Sequence, residues 1–163
     1  MSLPSIRLTF LIIFLGCAGL ILTGLYMQYV MELYPCPLCI TQRIFIIAVG
    51  ITGLLAFFLN PRAIGRKIFA VFGILFAVIG ASFSIRQLYL QSLPKDQVPA
   101  CGPDLGYLLE NFPLMDALSV LLRGDGNCAE VQWSLFGISI PGWTLVAFIG
   151  LVGFNLWQML RRN

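Results

Sequence analysis

Four apolar runs, each about as long as a bilayer-crossing helix, constrain this chain more than any other feature. They cover approximately 8–30, 39–59, 68–91 and 142–160. Crossing ~30 Å of hydrocarbon takes about 20 residues at the rise of an α-helix. Charged residues make up only 10% of the 163 positions, against about 25% in soluble domains. Backbone in lipid must satisfy its own hydrogen bonds, so runs of this length fold as helices. The expected fold is all-α and integral to the membrane: one domain over 1–163, built as a four-transmembrane-helix bundle.

Charge sets the orientation. Arg7, Arg62, Arg66, Lys67, Arg161 and Arg162 fall in the N-terminus, the link between the second and third runs, and the C-terminus. With four spans these segments share one side. All seven acids, Glu32, Asp96, Asp104, Glu110, Asp116, Asp125 and Glu130, fall on the other. Lys and Arg near span ends stay on the inner face, so both termini are expected in the cytoplasm and the loops at about 31–37 and 92–141 outside. The net charge of +3 is then a topology signal and gives no reason to expect nucleic acid. The long outer loop sets Lys95 and Arg123 against six acids. Within it, the mostly apolar stretch 113–122 opens on Pro113 and is followed by Gly124, the pattern of a short helix start and stop. Too short to span, it is expected to lie in the interface or to pack on the bundle. Tyr26, Tyr29, Tyr34, Tyr89, Trp133 and Trp143 gather near the outer boundary and Trp157 near the inner one, as an aromatic belt would.

The chain contains no histidine, which removes His-ligated haem, Cys/His zinc sites and His-dependent nucleophile arrangements. Neither G-x-G-x-x-G nor a P-loop occurs. Cysteine is the chemistry that remains. Cys17 lies mid-span and reads as a small packing residue. Leu15-Gly16-Cys17 resembles a lipoprotein cleavage box, but the apolar run continues through Leu25, which argues against one. Cys36 and Cys39 bracket Pro37 where the first outer loop enters the second span, and Cys101 and Cys128 lie in the long loop. All four face a compartment where disulfides can persist. One CxxC without knuckle-spaced partners disfavours zinc, so no metal is expected. If Pro37 starts the helix, Cys36 caps it, where the dipole favours a thiolate. Arg43 follows Cys39 by four residues and shares its helix face. A charge inside a span is costly, so Arg43 either snorkels to headgroups or stabilises a Cys39 thiolate and an anionic acceptor oxygen. The loop cysteines either staple the loop or pass electrons by thiol–disulfide exchange.

Cys-Pro-Leu-Cys-Ile-Thr-Gln-Arg (36–43), the segment 94–103 around Cys101 and the segment 126–133 around Cys128 resemble the motifs of the bacterial disulfide bond formation protein B family, over nearly the whole chain. The resemblance implies a Cys36–Cys39 disulfide whose electrons go to a bound quinone, ubiquinone or menaquinone. It also implies a Cys101–Cys128 disulfide that is attacked by a reduced DsbA-like thioredoxin-fold partner in the periplasm. The activity implied is that of a quinone-dependent thiol oxidase of the inner membrane, supporting disulfide formation in exported proteins. Arg43 matches the family's quinone-site arginine. Some members carry a histidine around position 87, where this chain has Gln87 beside Arg86, so one of those two is expected to support the acceptor. Two other readings compete. A vitamin K epoxide reductase-like protein would carry its CxxC late in the bundle, whereas here it comes at the second span. A purely structural membrane protein would use its disulfides as staples.

Overall fold

The computed structural model describes residues 5–94, 96–99 and 126–161, with positions 113, 115, 119 and 124. Among these, four helices are long and apolar enough to cross a membrane. They are α1 (Ile6–Tyr29), α2 (Pro37–Leu59), α3 (Ala63–Ser92) and α4 (Ile140–Leu160). Between α3 and α4 lie a 3₁₀ turn, Gly126–Ala129, and a two-residue antiparallel hairpin, β1 (Ser134–Leu135) with β2 (Ile138–Ser139). The helix expected over 113–122 lies largely outside the described residues.

Local chemistry sets the helix ends. Ser5 caps α1, its side chain accepting from the Leu8 N–H at 3.2 Å. Proline opens α2, where its missing N–H costs nothing because the first-turn donors have no helical partner. α2 stops at Asn60, which takes the left-handed conformation (φ 42°, ψ 58°) that asparagine tolerates better than most residues. α3 begins at Ala63, ahead of the apolar run at 68, and carries Arg66 and Lys67 within its first turns. Hydropathy locates the hydrocarbon-matched part of a helix, and the backbone continues helical into the headgroup region.

Helix packing is organised by α3. Its buried residues Ala70, Gly73, Ala77, Gly80, Ser84 and Gln87 recur every three or four positions and make one stripe of mostly small side chains. α2 packs along one flank of α3 and α4 along the other, while α1 packs chiefly on α2. Apolar side chains gain little from leaving lipid for a helix interface, so spans associate through close packing and hydrogen bonds, which small residues permit. Bulky residues such as Leu22, Phe58 and Ile64 accordingly stay exposed on the outer surface. Gly80 sits under the fully buried Phe148 of α4, and a methyl group there would overlap the ring. Phe45 of α2 stacks on Phe83 of α3 with centroids 5.7 Å apart. Cys17 is buried in the same core with Phe10, Ile13, Val49 and Phe148. At the end remote from the other cysteines, the buried Gln158 of α4 donates to the Ile6 carbonyl of α1 at 3.0 Å. Toward the cysteine-bearing end α1 and α4 barely touch, and the gap between them matters for the site.

Gly80→Ala is expected to destabilise the bundle by about 1–3 kcal/mol, since Phe148 must leave its rotamer or α4 must withdraw. Thermal unfolding of the detergent-purified variant checks this, and an unchanged midpoint would contradict the packing described.

Candidate functional site

The sulfur site forms where three elements end. Cys36 is the N-cap of α2, with no side-chain capping bond of its own, and Cys39 stands one turn inside the helix. The two sulfurs are 3.0 Å apart as free thiols. Cys128, on the 3₁₀ turn, is fully buried and hydrogen-bonds the Cys36 side chain. What seats it there is the approach of the returning loop. Gly124 adopts φ +74° and lies directly on Leu38 and Leu90, where a Cβ would collide with the Leu38 side chain. Leu38 and Leu90 with Cys36 and Cys128 make a small buried cluster of their own. The sequence placed Cys128 in a water-facing loop. Its burial on Cys36 follows from a contact between distant segments that no local pattern announces. Cys128 is a free thiol here, and Cys101, with which the bridge is expected, lies outside the described residues.

Gln87 of α3 reaches both membrane-side sulfurs. Its side-chain nitrogen donates to the sulfurs of Cys36 and Cys39, at 3.3 Å each. Its carbonyl oxygen accepts from Gln42 Nε2 at 2.8 Å and lies 3.6 Å from the Cys39 sulfur. Both glutamines are 3% exposed. Arg86, the neighbouring candidate, is on the exposed face of α3 and does not line the cavity described below.

The Cys36 thiol is pushed well above the ordinary cysteine range. Hydrogen bonding to Cys128 contributes most, followed by that to Cys39 and by burial. The helix-dipole argument from sequence had pointed the other way for Cys36. The neighbouring sulfurs and the loss of water outweigh a dipole that acts only over the first turn.

Below the sulfurs a cavity of about 340 Å³ opens between α1, α2 and α4. Leu20, Met27, Ile46, Val146 and Ala147 supply apolar wall, Trp133, Trp143 and Tyr34 rim it, and Cys36, Cys39, Gln42, Gln87 and Arg43 bring polar groups to it. Trp143 is fixed by donating its indole N–H to the Leu135 carbonyl at 3.3 Å, which ties the hairpin to the first turn of α4. Arg43 lines the cavity but is anchored on α1. Its Nη1 donates to Gln28 Oε1 at 2.5 Å and its Nη2 to the Gly24 carbonyl at 2.9 Å. Gly24 lets the guanidinium lie against the α1 backbone. Arg43 is therefore a half-buried cation held at the cavity wall by its bonds to α1.

Sequence reasoning missed Gln42 and Gln28. Both are uncharged polar residues inside apolar spans, which is itself a signal, since such groups are retained where they find partners. Gln42 lies three residues from Cys39 on the same helix face.

A cluster of three thiols, two aligned amides and a fixed cation at the mouth of an apolar cavity suits thiol–disulfide exchange beside a lipid-soluble ligand. Comparison with known proteins agrees with the disulfide part of that chemistry. The family model described as "Disulfide bond formation protein DsbB" matches residues 6–158. "Disulfide bond formation protein B" of Saccharophagus degradans is 61% identical over 161 residues, covering 99% of this chain and 97% of that protein. The Nitrosococcus oceani protein of the same name is 48% identical over 157 residues, 96% of this chain and 93% of its own. That of Stutzerimonas stutzeri is 47% identical over 163 residues, 100% of both. Sequence, four-helix fold and cysteine site together establish that this chain belongs to the disulfide bond formation protein B family of multi-pass membrane proteins.

Proposed function

We propose that the protein reoxidises a DsbA-like, thioredoxin-fold dithiol protein of the periplasm and passes the electrons to membrane quinone, ubiquinone or menaquinone. The observation that carries this reading is the gathering of Cys36, Cys39 and Cys128 at the mouth of an apolar cavity that also presents Arg43. Oxidation of the partner dithiol releases two electrons and two protons. Cys101 and Cys128, paired as a disulfide, accept them by exchange with the partner. With Cys36 and Cys39 paired as a disulfide, a Cys128 thiolate freed in that exchange lies against Cys36, and its attack there forms a Cys36–Cys128 bond, breaks the Cys36–Cys39 bond and releases Cys39 as a thiolate with little movement. A relay of this kind passes electrons through successive mixed disulfides without any free electron carrier in water.

The cavity suits a quinone ring. Its volume falls within the ~300–1,000 Å³ of ordinary ligand pockets, and its apolar walls with a few convergent polar groups match their usual lining. Arg43 and the remaining N–H of Gln42 are the groups that would hold the ring's oxygens, with Met27, Ile46 and Ala147 against its faces. A quinone bound there would supply a two-electron, two-proton acceptor. The need for one is thermodynamic. The handed-on disulfide belongs to a partner poised near −120 mV, so its reoxidation requires an acceptor of higher potential. Arg43 contributes a permanent positive charge that favours an anionic oxygen in a site of low polarity. The distribution of Lys and Arg supports an inner-membrane location with both termini cytoplasmic and the cysteines periplasmic.

Three outcomes test the assignment. Cys39→Ser is expected to abolish quinone reduction while the loop still forms a mixed disulfide with the reduced partner; quinone reduction at the wild-type rate would contradict it. Cys128→Ser leaves the Cys101 thiol unpaired, so with the oxidised partner it is expected to give a covalent complex through Cys101, whose thiolate opens the partner disulfide and releases one partner thiol; peptide mass spectrometry locates the bond. Arg43→Ala is expected to lower kcat/KM for quinone by about 10- to 100-fold, the loss of a hydrogen bond to a charged group. Arg43→Lys should recover only part of it, since an ammonium cannot span Gln28, Gly24 and a ligand at once. Steady-state kinetics on correctly inserted protein reads both, and unchanged parameters in Arg43→Ala would remove Arg43 from the site.

A further inference from the structure

We propose that Gln42 is a positioning residue for the Cys36–Cys39 couple: it fixes the Gln87 carboxamide with its N–H groups toward both sulfurs and thereby makes the couple a stronger oxidant. The inference rests on the proposed redox function and gives Gln42 and Gln87 a role toward the sulfurs themselves.

The geometry supplies the argument. A carboxamide presents an acceptor at one end and two donors at the other. Beside a pair of sulfurs, an isolated Gln could turn either end inward. Here Gln42 Nε2 donates to Gln87 Oε1 at 2.8 Å. That bond fixes the carbonyl, which Cys39 Sγ also approaches at 3.6 Å, and directs Gln87 Nε2 at the sulfurs of Cys36 and Cys39, at the shorter distance of 3.3 Å each. Both side chains are almost fully buried, so neither can exchange this partner for water. Gln42 follows Cys39 by one turn on α2, and Gln87 ends the small-residue stripe of α3. The amide pair is thus held by the same helix contact that builds the bundle.

Polar pairs between spans often do no more than join helices. This pair differs in that its hydrogen bonding continues onto the reacting atoms. Reduction of the Cys36–Cys39 disulfide breaks the S–S bond and takes up two electrons from the partner dithiol. Each sulfur carries charge as it is released, until it takes up a proton or is reoxidised. A neutral disulfide sulfur is a weak acceptor, whereas a sulfur carrying charge is a strong one. An N–H group fixed on both sulfurs therefore stabilises the reduced couple more than the oxidised one. Stabilising the reduced form is what makes a disulfide oxidising.

The test is a redox titration of the full-length, detergent-purified protein against a glutathione buffer. Differential alkylation and mass spectrometry read the reduced fraction of the peptide bearing Cys36 and Cys39. Gln87→Leu is expected to shift the equilibrium toward the disulfide about tenfold, equivalent to a potential about 30 mV lower. Gln42→Leu should shift it in the same direction by a smaller factor. The double variant should match Gln87→Leu alone, because Gln42 acts only through Gln87. Gln87→Glu keeps the size, removes the donors and adds negative charge, so it should shift the equilibrium at least as far. If Gln87→Leu fails to fold, Gln87→Glu and Gln42→Leu decide the matter. A purely structural pair would lower the melting temperature of the variants and leave the redox equilibrium within about twofold of wild type, which would overturn the proposal. If instead Cys36 and Cys39 form no titratable disulfide in the wild type, it is the underlying redox reading that fails.

Discussion

The close approach of α2 and α4 to α3 is the contact on which the rest of the structure depends. It is possible because Ala70, Gly73, Ala77, Gly80 and Ser84 present almost no side chain along one face of α3. With little hydrophobic gain from association inside lipid, that approach rests on packing and on the few polar groups the helices share. The stripe then ends on Gln87, so the geometry that joins the helices also delivers an amide to the sulfurs. α1 joins mainly through α2, and the space it leaves beside α4 becomes the cavity below the cysteines.

Polar groups concentrate at that one end of the bundle for a physical reason. A buried amide or guanidinium without a partner costs several kcal/mol or more in a medium of low polarity. Gln28, Gln42, Gln87 and Arg43 meet this demand through one another and through the Gly24 carbonyl. Their bonds leave donors facing the place where charge would develop in the proposed reaction. The sulfurs are made unequal by the same surroundings. Cys36 shares hydrogen bonds with two other thiols and keeps its proton, whereas Cys39 faces the Gln87 amide and the cavity wall that carries Arg43. In the proposed relay this division places Cys36 toward Cys128 and Cys39 toward the acceptor.

Much of this was legible in the sequence. Four apolar runs specify four helices because lipid leaves the backbone no alternative, and Pro37 marks where α2 begins. The lack of histidine narrows the chemistry to cysteine by composition alone. The rest depends on tertiary contacts. Gln42 and Gln87 are separated by 45 positions, and neither periodicity nor spacing shows that they meet. Nor does anything local say that Gly124 brings Cys128 down onto Cys36, or that Arg43 is claimed by Gln28 of another helix. Helix lengths differ for a related reason: α3 outruns its apolar stretch because Arg66 and Lys67 remain helical outside the hydrocarbon.

In the proposed relay electrons pass from a protein dithiol through these cysteines to a quinone. Anaerobic mixing of the purified protein with a reduced thioredoxin-fold dithiol partner and a soluble quinone tests it most directly, with quinone absorbance and partner thiols followed together. One quinone reduced for each partner disulfide formed, and accumulation of reduced Cys36 and Cys39 when quinone is withheld, are the expected results. Partner oxidation without loss of quinone, or no partner oxidation with quinone in excess, would contradict the relay.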